Sequence, residues 1–258
     1  MSLRQKIRQT KIYQSYRQSQ KDRKKNRIRE KVKKLYLKNF GYAPEMYKDF
    51  LPGELTLGTD YFSQLGQELY VLNMVFPGKK DGVFVDVGAN DPIEISNTYL
   101  LEKLGWRGIA FEPQLKLCEA WKTERTTPCF PYVLGENETT VSFVESSVHG
   151  LSGVKGYAED KIHGRVHEEG VYSTREQKRL DTVLIEHDIR NIDFMSLDVE
   201  GYELNVLKGV DFSVIKIKCI ILENDKTAYG DDEVRKFLIE KGYRFVARIH
   251  RDDVFILN

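Results

Sequence analysis

Phe84-Val85-Asp86-Val87-Gly88-Ala89-Asn90-Asp91 is the stretch whose reading decides the fold of this 258-residue chain. Val83, Phe84, Val85 and Val87 form a short apolar run closed by Gly88, the pattern of a buried strand entering a tight turn. One βα unit later, Gly108-Ile109-Ala110-Phe111-Glu112-Pro113 repeats the pattern and ends in a carboxylate, with Pro113 to stop the strand. In an open parallel sheet a ligand sits beyond the carboxyl ends of the strands, so these two ends read as a nucleoside pocket. Gly88 and Ala89 are expected to leave the backbone open to a ligand, with Asp86 and Asn90 at the mouth of the turn and Glu112 placed to accept both ribose hydroxyls. A phosphate-binding dinucleotide turn needs a third glycine, and Asp91-Pro92 stands there instead. Acid at this turn repels a pyrophosphate and suits a cationic ligand.

Outward from this stretch, strand and helix signals alternate, which argues for an α/β fold with a parallel sheet covered on both faces. Strands are expected over 83–87, 109–111, 130–133, 192–197 and 219–222, and helices over 96–104, 115–124, 181–187 with Asp181 as N-cap, 204–207 and 232–241. The last two strands, 243–249 and 253–257, are joined by a few polar residues and should pair antiparallel. Between 139 and 175 the rhythm breaks. Residues 139–144 alternate as an antiparallel strand would, 145–170 have no clear periodicity, and 171–174 resume as strand, so a lid or acceptor-binding insertion is expected there. The body thus spans 81–258. Residues 41–80 form a loop-rich lead-in with a helical pattern over 61–75.

A net charge of +1 conceals two unlike parts. Residues 1–38 hold fifteen Lys or Arg and two acids, for +13, and the remainder carries −12. With few aliphatics, the basic extension (1–40) cannot bury much surface of its own. Its plain reading is a solvated, partly helical arm leaning on the acidic body; contact with an anionic membrane surface or with nucleic acid are the alternatives. At 41% hydrophobic and 31% charged the composition is that of a globular protein, and no run suggests a membrane span or a secretory leader. The expected location is cytoplasmic, with the membrane surface as a variant. Cys118, Cys129 and Cys219 are widely spaced and odd in number, and read as reduced thiols rather than a disulfide set or zinc site.

A second constellation is Met195-Ser196-Leu197-Asp198-Val199-Glu200-Gly201-Tyr202-Glu203. An apolar strand that then delivers Asp198 and Glu200 puts two carboxylates at the cofactor end of the sheet. Either could take a proton from an acceptor hydroxyl if its surroundings raise its pKa, with Glu200 the first choice and Asp198 the second. Glu203, and Glu223 with Asn224 and Asp225 after another buried strand, are expected to orient the acceptor. His149 shares that expectation. His163 and His167 have helical chelating spacing, but Gly164 and Gly170 favour a polar loop, and no metal is expected.

Together with Asn97-Thr98-Tyr99, Gly105-Trp106, Arg179-Leu180-Asp181-Thr182 and Val206-Leu207-Lys208-Gly209, these motifs resemble the FkbM family of S-adenosylmethionine-dependent methyltransferases over roughly 80–225. The resemblance implies a Rossmann-like class I methyltransferase fold, here a mostly parallel seven-stranded sheet with an antiparallel C-terminal hairpin. It implies S-adenosyl-L-methionine as cofactor and O-methylation of a small-molecule or glycan acceptor, most naturally a sugar hydroxyl. Asp86, Gly88, Asn90, Asn97, Glu112 and Pro113 fall on its cofactor side, and Asp198, Glu200 and Glu203 on its second signature. Asp91-Pro92 departs from its pattern, where a tighter turn is expected, and the basic arm lies outside it. A nucleic-acid methyltransferase using that arm, or a noncatalytic cofactor-binding or membrane-associated scaffold, are the competing readings.

Overall fold

Val83–Val87 is a strand because alternate residues have apolar layers to face on both sides. Phe84 packs with Leu100, Leu101, Trp106, Phe194 and Cys219, whereas Val85 and Val87 pack with Ile109, Met195, Leu197 and Ile220. Burying Phe84 and Phe194 alone is worth about 2–3 kcal/mol each. The computed structural model describes residues 62–64, 66–146, 152–157, 170–224, 233–249 and 251–258. The basic arm, most of the lead-in, His149, His163, His167 and Asp225 lie outside the described residues.

The elements follow as α1 (Gln67–Tyr70, continued by a π-helical turn, Val71–Val75), β1 (Val83–Val87), α2 (Tyr99–Lys103), β2 (Arg107–Phe111), α3 (Leu115–Glu124), β3 (Cys129–Phe130) and β4 (Val133–Leu134). Next come β5 (Thr139–Glu145), β6 (Gly153–Val154), β7 (Val171–Lys178), α4 (Leu180–Glu186), β8 (Asn191–Leu197) and α5 (Glu203–Lys208). β9 (Lys216–Glu223), α6 (Glu233–Glu240), β10 (Tyr243–Ile249) and β11 (Asp252–Leu257) complete the order. The main sheet has seven strands in the order β10-β11-β9-β8-β1-β2-β3. It is mixed: β9-β8-β1-β2-β3 are neighbours in parallel, while β11 runs antiparallel to both β9 and β10. The sheet reverses its winding between β1 and β8, and the two motif-bearing strand ends open side by side at that point.

Several boundaries differ from the expectations, each for a physical reason. The run 130–133 is two strands, because Pro131 has no N–H to give a ladder; Cys129–Phe130 pairs with β2, and Val133–Leu134 leaves to pair with β7. Asp181 is not an N-cap. It lies inside α4, accepting from the Arg179 guanidinium and from the Asp211 backbone N–H at 2.8 Å, while Arg179 takes the cap position. The expected helix over 61–75 begins at Gln67 and widens to a π turn, where the Asn73 side chain donates to the Leu69 carbonyl at 2.7 Å.

The segment expected to be a lid contains structure of its own. β4-β7-β5-β6 form a second, four-stranded sheet, whose Val133, Leu134, Phe143 and Val154 join the core beneath it. All three cysteines are buried free thiols. Among the described residues, no helix is long and apolar enough to cross a membrane.

Candidate active site

The carboxyl ends of β1, β2 and β8 and the inner face of the small sheet enclose a cleft of about 900 Å³, part of it open to solvent. Asp86, Gly88, Asn90, Asn97, Glu112, Pro113, Asp198 and Glu200 all line it. Glu203 and Glu223 are not on its wall but stand beside Asp198, the carboxylate oxygens of the three lying within 4.8 Å of one another. These are the described residues whose carboxylates could share a cation.

At the end of β1, Asp86 is buried. Its Oδ2 accepts from the Thr98 hydroxyl at 2.5 Å, and Ser196 is its register partner on β8. Burial pushes the Asp86 carboxyl up to about 6, against the pull of Thr98, Arg125 and Ser196. At the end of β2, Glu112 is also buried, and its two oxygens accept the backbone N–H groups of Asn90 (2.8 Å) and Gln114 (2.9 Å). Burial nevertheless holds its carboxyl above the usual range. Glu112 thereby fixes both loops that flank it, and each oxygen retains lone-pair capacity toward the cleft.

Gly88 does not present an open backbone to a ligand, as its small size suggested. At φ +77° its missing side chain points at β8, where a Cβ would lie 1.7 Å from the Asp198 carbonyl oxygen. The N–H groups of Gly88 and Ala89 both go to the Phe111 carbonyl at 3.0 Å. Glycine here lets two parallel strand ends approach. Asp91 is not on the cleft wall; its Oδ1 accepts the N–H groups of Ile93 and Glu94 at 2.8 and 2.7 Å, closing a local turn. Among the described residues, four buried side-chain polar atoms have no partner, on Asn73, Asn90, Asn97 and Ser173, and of these the carbonyl oxygens of Asn90 and Asn97 belong to residues on the cleft wall.

After β8 the chain makes a strained turn, with Glu200 at φ 55° and Gly201 at φ 94°. Glu203, the first residue of α5, holds that turn by accepting the N–H groups of Val199 (3.2 Å) and Gly201 (3.1 Å). Asp198 is reached by solvent from the cleft. Protein crowds it on its other sides, and this desolvation, followed by the charges of Glu223, Glu200, Asp252 and Glu203, drives its carboxyl well above the usual aspartate range.

The small sheet roofs this constellation. Tyr157, just after β6, stacks edge-on against Tyr202 at 4.4 Å, and the Tyr202 hydroxyl donates to Gln177 of β7 at 2.9 Å. Arg175 of β7 donates to the Pro113 carbonyl at 2.8 Å and pairs with Glu145 of β5 at 2.5 Å, tying the roof to the loop after β2.

A sequence model of the methyltransferase FkbM domain matches residues 86–245. The chain belongs to the FkbM methyltransferase family. The matched FkbM segment begins at Asp86 itself and ends within β10, so it contains every described site residue and leaves out the basic arm and the lead-in. No curated protein matches the chain significantly. Within the FkbM domain, strand ends alone do not reveal which roof residues reach the cleft, Phe143 and Val154 with Tyr132 just before β4, nor Arg125, which is off the cleft wall but acts on Asp86. The second half of the roof strand β7, Arg175 to Lys178, is entirely polar, so the strand signal in the sequence stops at Thr174.

Proposed function

We propose that this FkbM domain transfers the methyl group of S-adenosyl-L-methionine to a hydroxyl, with a sugar of a glycan as the acceptor class. The observation that supports this reading is the polarity of the cleft. Among the described residues its wall carries four carboxylates, Asp86, Glu112, Asp198 and Glu200, and no lysine or arginine, with the orphaned Asn90 and Asn97 carbonyls beside them. Such a surface demands a ligand rich in donors and positive charge, and an ammonium, a sulfonium and a ribose diol meet that demand. A phosphate-bearing ligand would meet repulsion instead, which disfavours the nucleic-acid reading.

S-adenosyl-L-methionine, when bound, supplies a methyl group activated by its sulfonium. On this reading Glu112 accepts the ribose hydroxyls, Asp86 and Asn97 hold the ammonium end, and Pro113 borders the nucleoside. Asp198 takes the acceptor proton. Its raised pKa makes it a better proton acceptor at neutral pH than an ordinary aspartate, so it ranks ahead of Glu200, which the strained turn holds at the rim. The exposed Tyr157, packed edge-on against the cleft-lining Tyr202, offers ring surface to a sugar beside the cleft. Alignment of the acceptor oxygen at about 3 Å from the methyl carbon would supply much of the remaining acceleration. The basic arm then serves to bring the domain to an anionic surface, read by salt-dependent binding to anionic vesicles that residues 1–38 confer.

The test is a screen of the full-length chain with methyl-labelled cofactor against oligosaccharides, nucleotide sugars and RNA, after calorimetry has measured cofactor binding. Label on a sugar hydroxyl supports the reading; label only on RNA, or no cofactor binding, overturns it.

A further inference from the structure

The last turn of α3 grips the cofactor-side loop from behind. Trp121 donates its Nε1–H to the Asn90 carbonyl at 2.9 Å. Four residues on, the side chain of Arg125 has no exposed surface and lies over the Trp121 ring at 4.2 Å. Its guanidinium donates to the Pro92 carbonyl (2.8 Å), to Ser96 Oγ (3.4 Å) and to Thr98 Oγ1 (3.3 Å). Nε is anchored on Glu102 at 2.6 Å.

Because Thr98 Oγ1 accepts from Arg125, its own hydrogen is directed to its other neighbour, and that is Asp86 Oδ2 at 2.5 Å. An arginine buried away from the ligand thus reaches both the loop 92–98, which supplies Ser96 and Asn97 to the cleft wall, and the carboxylate at the end of β1. This loop is where Asp91-Pro92 leaves the family pattern: proline offers a carbonyl but no N–H, and the carbonyl is what Arg125 takes.

The anchor is itself well made. Glu102 also accepts the N–H and hydroxyl of Thr126 and the hydroxyl of Thr127. Burial works against its charge, yet the donors from Thr127, Thr126 and Arg125 together hold its carboxyl below the usual range. A buried pair this thoroughly hydrogen-bonded fixes geometry more than it adds stability.

The geometry points to Arg125 as a positioning residue of the cofactor site, one that holds the 92–98 loop in place and orients the Thr98 hydroxyl on Asp86. The inference rests on the reading that the cleft takes S-adenosyl-L-methionine. The charged and titratable groups facing Asp86 are Arg125 from the end of α3, Glu112 from the end of β2 and the Cys129 thiol of β3, with the Thr98 and Ser196 hydroxyls. Burial keeps Cys129 neutral across the working range. Of these, only Arg125 favours the ionised carboxylate through charge.

The experiment is calorimetric binding of S-adenosyl-L-methionine to the full chain between pH 5.5 and 9, for the wild type, Arg125→Met, Arg125→Lys and Thr98→Val. The expected result is a cofactor Kd raised at least tenfold at pH 7 in Arg125→Met, with the acid limb of binding displaced to higher pH and much of the affinity regained by pH 9. Arg125→Lys falls between. Thr98→Val, which leaves the clamps on Pro92 and Ser96 in place, shifts the limb in the same direction, and it carries the test if Arg125→Met does not fold. A purely structural Arg125 would lower the melting temperature, or weaken binding equally at every pH, without moving the limb. Either that outcome, or unchanged binding in both Thr98→Val and Arg125→Met, overturns the proposal. Absence of binding by the wild type would instead overturn the cofactor reading on which it rests.

Discussion

Gly88 and Asp198 meet backbone to backbone, so closely that a Cβ on Gly88 would lie 1.7 Å from the Asp198 carbonyl oxygen. The contact joins the two motifs that carry the site. Gly88→Ala therefore has two independent penalties, a left-handed φ of +77° and a clash with main chain that cannot rotate away. The expected loss is at least about 2 kcal/mol in a urea titration. A variant as stable as the wild type would mean that the strand ends are farther apart than this.

Asp86 places function against stability. Its folded pKa of about 6 exceeds the value of 3.8 for a free side chain, so the native state prefers the proton. Stability from this group is fully present below about pH 4, declines as pH rises through 6, and stays low above it. Asp86→Asn has no such decline. At pH 8 the variant is expected to be more stable than the wild type by up to about 3 kcal/mol, with the difference vanishing near pH 4. It should bind S-adenosyl-L-methionine at least tenfold more weakly. Parallel denaturation curves for the two proteins across this range would contradict the placement.

Glu112 faces two N–H donors, one on each oxygen. Glu112→Gln replaces one acceptor with an amide that must point a hydrogen at a backbone hydrogen. The expected cost is about 1–3 kcal/mol of stability and a clear loss of cofactor affinity. A ribose-deoxy analogue should distinguish wild type from variant much less than the parent cofactor does, if the carboxylate acts on the hydroxyls.

Asp198 and Glu200 share the cleft in different environments. Asp198→Asn is expected to lower kcat by about 10²–10³, within the range for removing a general base, with cofactor Kd within threefold of wild type. Because the base must be unprotonated, wild-type kcat should rise with pH through the raised Asp198 pKa, and this limb should disappear in the variant. Glu200→Gln should reduce kcat less and retain the limb. The opposite ranking would return the proton to Glu200.

What could be read in the sequence is what each segment needs for itself. Phe84 to Val87, Ile109 to Phe111 and Ile192 to Leu197 are buried on both faces, so their apolar runs mark them as strands whatever surrounds them. Asp86, Glu112 and Asp198 stand where such runs end, and strand ends point to one edge of a parallel sheet. Those residues could be named in advance, although their hydrogen bonds could not. β7 is legible as strand only as far as Thr174, because Arg175, Glu176, Gln177 and Lys178 are all polar, and the apolar character of 130–133 masks its break at Pro131, which has no N–H.

Tertiary structure decided the meaning of the turn. Gly88 looked like room for a ligand and is room for Asp198; Asp91 looked like part of the pocket and instead closes its own loop off the cleft wall. Arg125 had no local signal at all, since its partners Pro92, Ser96, Thr98 and Glu102 come from earlier in the chain. The reason is physical. Hydrophobic periodicity records which face of an element avoids water, a property of neighbours in sequence, whereas the direction of a hydrogen bond depends on which loops the strand order brings together.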